Sequence, residues 1–202
     1  MVIPLLFPKR FLSPLILLLL FYWSCSDRND GSSGNAVSSS LQISTLDHKS
    51  FSFDEIKNNQ ATVFLFLQPE CPFCNSYGKT FHDIDSVYHS KHVTFYGVVS
   101  GKNYPNSEID SFRLRNRLAF QMLLDPDFKL QKHLGARVTP EAFLLDSKGN
   151  TIYRGLVDDW AYEIGKVRAQ AHNHYLTDAM DEFLSNSPVT IDSTRAVGCY
   201  IQ

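Results

Sequence analysis

Along the 202 residues, apolar positions fall into runs that switch between strand and helix periods. Ala61-Thr-Val-Phe-Leu-Phe-Leu67 is continuous, apolar and partly β-branched, the form of a strand buried on both faces of a mostly parallel sheet. Pro72 to His89 places Phe73, Tyr77, Phe81, Ile84 and Tyr88 at spacings of four, four, three and four, which is one face of an amphipathic helix. Val93 to Ser100 is the next strand, so a βαβ unit is predicted. Gly101 to Asn106 reads as loop, Glu108 to Arg117 as an Arg-rich helix, and Met122-Leu-Leu124 as a short strand. Pro126 opens a helix to about Leu134. Glu141 to Leu145 and Thr151 to Arg154 are strands joined through Asp146-Ser-Lys-Gly149, where Gly149 and Asn150 can supply the positive φ of a tight hairpin. Trp160 to Asn173 is less regular. His174 to Leu184 directs Leu176, Met180, Phe183 and Leu184 toward a core; Pro188 follows, and the tail to Gln202 reads as extended. No internal repeat is present. A hairpin after a βαβ unit gives an α/β fold with a mixed central sheet flanked by helices.

The N-terminus follows different rules. Lys9 and Arg10 precede the apolar run Phe11 to Trp23, about 13 residues against the roughly 20 that span a bilayer as a helix. That proportion belongs to a signal peptide, predicted over residues 1–24. Ser24-Cys25 follows, a small residue directly before a cysteine, similar to a bacterial lipoprotein signal in which the cysteine is lipidated; Tyr22 and Trp23 depart from the usual aliphatic and small residues there. The alternative is an ordinary cleaved signal with Cys25 incidental. Residues 26–40 are mostly Ser, Gly, Asn and Asp and cannot bury enough apolar surface to offset their ordering entropy. Residues 25–40 are thus expected to be a lipidated cysteine and a flexible tether of roughly 20 Å root-mean-square reach. The folded domain is expected over 41–186 and an extended tail over 187–202. The implied location is the bacterial envelope, exported, periplasm-facing and lipid-anchored at Cys25.

Charge is nearly balanced, 19 Lys and Arg against 21 Asp and Glu, which leaves no basic patch to argue for a nucleic-acid partner. The 15 Phe and 9 Tyr supply ample core.

Of four cysteines, Cys25 is assigned to the lipid, Cys71 and Cys74 form a close pair, and Cys199 is left over. Outside the reducing cytoplasm disulfides persist, and one tight C-x-x-C pair in an aromatic-rich domain reads as redox-active. Two cysteines at this spacing at a helix start lie within disulfide reach. Unsatisfied N–H groups and the positive end of the helix favour the charged form of the first, as in C-x-x-C motifs generally. Cys71 is the expected nucleophile and Cys74, one turn in, the expected resolver; Pro72 suits a first turn that needs no N–H donor. No cofactor beyond a redox-active Cys71–Cys74 disulfide is expected.

Val138-Thr139-Pro140 precedes the strand Glu141 to Leu145. With Pro69-Glu-Cys-Pro-Phe-Cys74, Leu124-Asp-Pro126 and Arg137-Val-Thr-Pro-Glu-Ala-Phe143, the chain resembles the thioredoxin superfamily over about residues 41–184, most closely its redoxin or AhpC/TSA-type branch. The resemblance implies a thioredoxin-like fold with a cis-Pro loop at Thr139–Pro140 and a substrate groove formed by Pro72, Phe73, Thr139 and Pro140. It implies thiol–disulfide exchange with protein or small-molecule thiols and disulfides, together with an upstream electron donor.

Two departures from the family pattern matter. Thioredoxins often bury an acid six residues before the first cysteine; here Leu65 stands there, leaving Glu70, Glu141 and Asp158 or Asp159 as proton-relay candidates, each expected to be merely solvated. Peroxiredoxins carry Pro-x-x-x-Thr/Ser-x-x-Cys, and the matching positions are Phe64 and Gln68, which weakens an antioxidant peroxide-reductase reading. A third reading is a non-enzymatic metal-binding or metallochaperone module on Cys71 and Cys74. A structural zinc site needs four ligands, which His172, His174 and Cys199 would have to complete from a distance; no metal is expected. Asn75 after Cys74 excludes the C-x-x-C-H haem attachment motif. His174 reads as a helix-start residue, and Arg154 as a hairpin arginine paired with an acid or as a guide for anions. Cys199 is either a spare thiol or a third redox cysteine that the tail returns to Cys71.

Overall fold

The computed structural model describes residues 41–101, 104–163 and 165–202. The signal, lipidation and tether expectations at residues 1–40, Cys25 included, lie outside the described residues.

A seven-stranded mixed sheet organises the chain, in the order β2-β1-β5-β4-β3-β7-β8. Its strands are β1 (Gln42–Thr45), β2 (Ser50–Ser52), β3 (Ala61–Phe66), β4 (Val93–Ser100), β5 (Gln121–Asp125), β7 (Glu141–Asp146) and β8 (Thr151–Gly155). The short strand β6 (Val138–Thr139) precedes β7. β3, β4 and β5 pair in parallel; β7 joins β3, and β8 joins β7, antiparallel. Helices α1 (Pro72–Ser76), α2 (Gly78–Tyr88), α3 (Asn106–Arg115), α4 (Lys129–Leu134) and α5 (Tyr175–Leu184) cover the sheet.

Each central strand feeds two cores because its side chains alternate. Val63, Leu65, Ala142 and Leu144 enter one cluster with Cys74, Tyr77 and Phe81 from the α1–α2 pair, Phe112 from α3 and Met180 from α5. Phe64, Phe66, Phe143 and Leu145 enter the other, with Phe53 and Ile56 of a 3₁₀ turn and Leu130 of α4. All six residues of β3 are buried, as a strand covered on both faces requires.

Several expectations are corrected. Pro72 to His89 is two helical segments with the joint at Tyr77, where Gly78 lets Asn116 come close: a Cβ on Gly78 would lie 2.0 Å from Asn116 Oδ1. α4 begins at Lys129 rather than Pro126, because Phe128 turns left-handed at φ 57° and the buried Asp125 carboxylate accepts from the N–H groups of Lys129, Leu130 and Gln131. In the β7–β8 turn Gly149 has φ 87°, whereas Asn150 is not among the positive-φ residues. The β1–β2 hairpin has no sequence-based counterpart. The irregular stretch after Trp160 carries a small hairpin, β9 (Ala161–Glu163) with β10 (Lys166–Val167). The tail is extended but not free: its strand β11 (Cys199–Tyr200) pairs antiparallel with β6. Among the described residues no helix is long and apolar enough to cross a membrane.

Candidate active site

The site forms where β3 ends and α1 begins. Leu67 N–H donates to Val98 O at 2.9 Å, and Cys71 N–H to Gln68 O at 3.1 Å, turning the chain out of the sheet. Cys71 is the residue before the first helical position and Pro72 occupies that position, exposed. Asn75, which sequence reasoning missed as a site residue, fastens the turn: its Nδ2 donates to Pro69 O at 2.8 Å and Cys71 O at 3.1 Å. Asn side chains commonly bond to nearby backbone, and that habit was the available signal.

Thr139–Pro140 is cis. The loop is held on both sides. Glu141 accepts from the N–H groups of Arg137 (2.7 Å) and Val138 (3.3 Å), and Thr139 Oγ1 donates to Gln68 Oε1 at 3.0 Å. Gln68 thus ties the cysteine loop to the proline loop, a role its sequence position did not announce. In the thiol form Cys71 Sγ donates to Thr139 O at 3.1 Å.

Three sulfurs meet here, and all three cysteines are free thiols. Cys199 Sγ donates to Cys71 Sγ with only 2.6 Å between them, against about 2.03–2.05 Å for a bonded pair. Cys71 is 1% exposed and Cys74 0%, so both are buried; Cys199 is half-buried. A cavity of about 310 Å³ adjoins them, lined by Glu70, Tyr104, Tyr200 and Gln202 among others.

The electrostatics divide the sulfurs. Hydrogen bonding from the Cys74 thiol, and less strongly from the Cys199 thiol, the Cys74 backbone and Thr139, draws the Cys71 pKa down to about 5 against the opposing effect of burial. Burial, and then the neighbouring Cys71, push Cys74 well above an ordinary thiol. The same two causes raise Cys199 to about 12. One thiolate flanked by two protonated thiols is therefore the state near neutral pH.

The other candidates are placed as follows. Phe73 is half-buried beside the cysteines. Leu65 is 1% exposed in the same apolar cluster as Cys71 and Cys74. Glu141, Asp158 and Asp159 are buried rather than solvated as expected. Asp158 accepts from Tyr77 Oη at 2.5 Å, and Asp159 from the N–H groups of His172 (2.7 Å) and Asn173 (3.1 Å). Glu70 is exposed, accepts from Tyr104 Oη at 2.8 Å, and is the carboxylate whose charge bears on Cys199. Phe64 points into the opposite core. His174 immediately precedes α5 without capping it through its side chain. Arg154 lies on β8 and holds the tail through its backbone. Among the described residues no group of His, Cys, Asp or Glu is arranged to hold a metal ion.

Among solved structures, the fold is similar to a hypothetical protein of Sinorhizobium meliloti (TM-score 0.71, 21% identity, 80% of this chain and 89% of that one). It is similar also to an uncharacterized conserved protein of Geobacillus kaustophilus (0.72, 21%, 80% and 87%). A secreted Mycobacterium tuberculosis disulfide oxidoreductase homologous to E. coli DsbE aligns with TM-score 0.51 at 17% identity, over 72% of this chain and 95% of that one. At these identities the likeness is one of fold, and that fold is thioredoxin-like. No curated protein sequence matches. The family model of AhpC/TSA matches residues 35–154, more than half the chain and all of the cysteine and proline loops, and the protein belongs to the AhpC/TSA family.

Proposed function

We propose that this protein is a thiol–disulfide oxidoreductase of the bacterial envelope, exported and lipid-anchored at Cys25, which works through Cys71 and Cys74. The observation that carries the reading is the Cys71 thiol, drawn to a pKa of about 5 beside a buried second thiol and the cis-Pro loop. A low-pKa thiolate with a resolving partner in reach is what exchange requires. The Cys71 thiolate attacks a substrate disulfide, forming a mixed disulfide, and the released substrate sulfur takes up a proton. Cys74 gives up its proton and attacks Cys71 Sγ. The second substrate sulfur leaves, and the Cys71–Cys74 disulfide that remains holds the two oxidising equivalents until a dithiol donor reduces it. No other cofactor enters. The similar fold of the secreted Mycobacterium tuberculosis disulfide oxidoreductase supports disulfides as substrates. So does Phe64, whose turn into the far core leaves its side chain unavailable to orient a peroxide.

The test is a trap. The full chain carrying Cys74→Ser and Cys199→Ser, expressed in its native host, should accumulate mixed disulfides through Cys71 that mass spectrometry identifies. Absence of adducts, with peroxide turnover retained in Cys74→Ser, would replace exchange by peroxide reduction.

A further inference from the structure

The C-terminal segment closes over this site along a specific path. Asp192 O accepts from Arg154 N–H, and Thr194 N–H donates to Arg154 O, both at 3.0 Å, so the tail zips onto β8, the last strand of the sheet. Thr194 Oγ1 accepts from Leu156 N–H at 2.8 Å. The chain then crosses the proline loop at Gly198, where a Cβ would fall 2.1 Å from Thr139 O; a residue with a side chain could not follow this path. Cys199 lies opposite Thr139 and Tyr200 opposite Val138 in an antiparallel pair, extended by Ile201 N–H to Arg137 O at 3.0 Å. The register delivers Cys199 Sγ onto Cys71 Sγ at 2.6 Å. The nucleophile is left 1% exposed.

We infer that the C-terminal segment is an internal substrate: Cys199 occupies the position of an incoming polypeptide cysteine and exchanges disulfides with Cys71. This rests on the exchange chemistry proposed above and adds a substrate class. A polypeptide that supplies its cysteine from an extended segment, hydrogen-bonded antiparallel to β6, fits where the tail now lies. Starting from a Cys71–Cys74 disulfide, the Cys199 thiolate attacks Cys71 Sγ. The Cys71–Cys74 bond breaks, a Cys71–Cys199 bond forms, and Cys74 leaves with the electron pair and takes up the proton Cys199 gave up. No external oxidant is consumed. In the reverse step Cys74 attacks Cys71 and frees the tail. Cys74 is the inner sulfur on α1 and Cys199 the outer one on β11, so the tail sits on the side a substrate must approach. A substrate therefore competes with the tail, and the apparent affinity falls by the fraction of time the tail is docked.

The full-length chain, oxidised with diamide, acid-quenched and alkylated, should yield peptides joined both as Cys71–Cys74 and as Cys71–Cys199. In Cys74→Ser the Cys71–Cys199 link should form alone, within one chain. Gly198→Val retains all three cysteines but forces the tail off Thr139, and Cys199→Ser removes the docked sulfur. Gly198→Val should reduce insulin disulfides roughly tenfold faster than the parent chain, the gain expected if the tail is docked about nine-tenths of the time; Cys199→Ser, which keeps the backbone pairing, should gain less. Either an absent Cys71–Cys199 link in oxidised Cys74→Ser, or insulin reduction at the parent rate in Gly198→Val, overturns the inference. If neither the parent chain nor the groove variants reduce insulin and the double serine variant traps nothing, the exchange reading itself fails.

Discussion

Cys74→Ala isolates what holds the Cys71 thiolate in place. The hydrogen bond from the Cys74 thiol is the largest of the effects that lower the Cys71 pKa to about 5. A hydrogen bond to a charged group contributes about 1.5–3 kcal/mol, and one pKa unit corresponds to about 1.4 kcal/mol. Its loss should raise Cys71 by about one to two units, to roughly 6–7. At pH 6 the thiolate fraction would fall from about nine-tenths to between about a half and a tenth. Thiolate absorbance in the far ultraviolet reads this directly and needs no reagent to reach the covered sulfur. Cys199, raised to about 12, does not titrate in that window, so the acidic step belongs to Cys71. Cys199→Ala should also raise the midpoint, but by less, since its hydrogen bond ranks below that of Cys74. A midpoint unmoved in Cys74→Ala, or a parent chain that titrates like a free thiol near 8.5, refutes the assignment.

Two further predictions concern the frame around the site. Asp125→Ala orphans three backbone N–H groups at the start of α4 and the Ser100 hydroxyl that donates to the same carboxylate at 3.1 Å; it should cost about 2–4 kcal/mol, read as a lowered midpoint in urea unfolding. Gly78→Ala drives a Cβ to 2.0 Å from Asn116 Oδ1 and 2.8 Å from Asn116 Cβ, and should cost about 1–3 kcal/mol. The same midpoint should recover in large part when Asn116→Gly is added, and a double variant no more stable than the single one would show that the clash is not the cause.

Local pattern made β3, β4 and the helical face from Phe73 to Tyr88 legible, because burial on two faces or one writes itself into consecutive residues. It failed where a distant partner decides. β1 and β2 are four and three residues long and carry only Ile43 and Phe51 inward to the core, too little periodicity to signal a strand. The joint at Tyr77 interrupts a helical face whose spacing is unbroken, and the residue that packs closest to Gly78 there, Asn116, lies far along the chain. Asp125-Pro126 looked like a helix start, yet the carboxylate reaches past a left-handed Phe128 to cap the next turn. The tail was legible as extended. Its destination depends on the free edge of β8 and on two residues of β6, pairings that leave no mark in residues 187–202 themselves. The cysteine pair and Thr139-Pro140 were readable because their chemistry is carried by residue type, whereas Gln68 and Asn75 act through geometry that only the fold supplies.

The apolar residue at Leu65 raises the question of how Cys74 loses its proton without a buried base. The sulfurs of Cys71 and Cys74 answer it. Cys74 is held protonated by burial, by its hydrogen bond to Cys71, and by the charge of Cys71, in that order. Once Cys71 has formed a mixed disulfide it carries no charge and accepts that hydrogen bond far more weakly, so two of the three causes disappear and burial alone remains. The pKa of Cys74 must then fall, at the step where it has to attack. An acid at position 65 would add a further negative charge to this pocket and oppose both the Cys71 thiolate before the reaction and the Cys74 thiolate during it. On the proposed exchange chemistry, the Cys74 thiol is kept protonated by burial and by the charge of Cys71, and it is released when that charge is consumed.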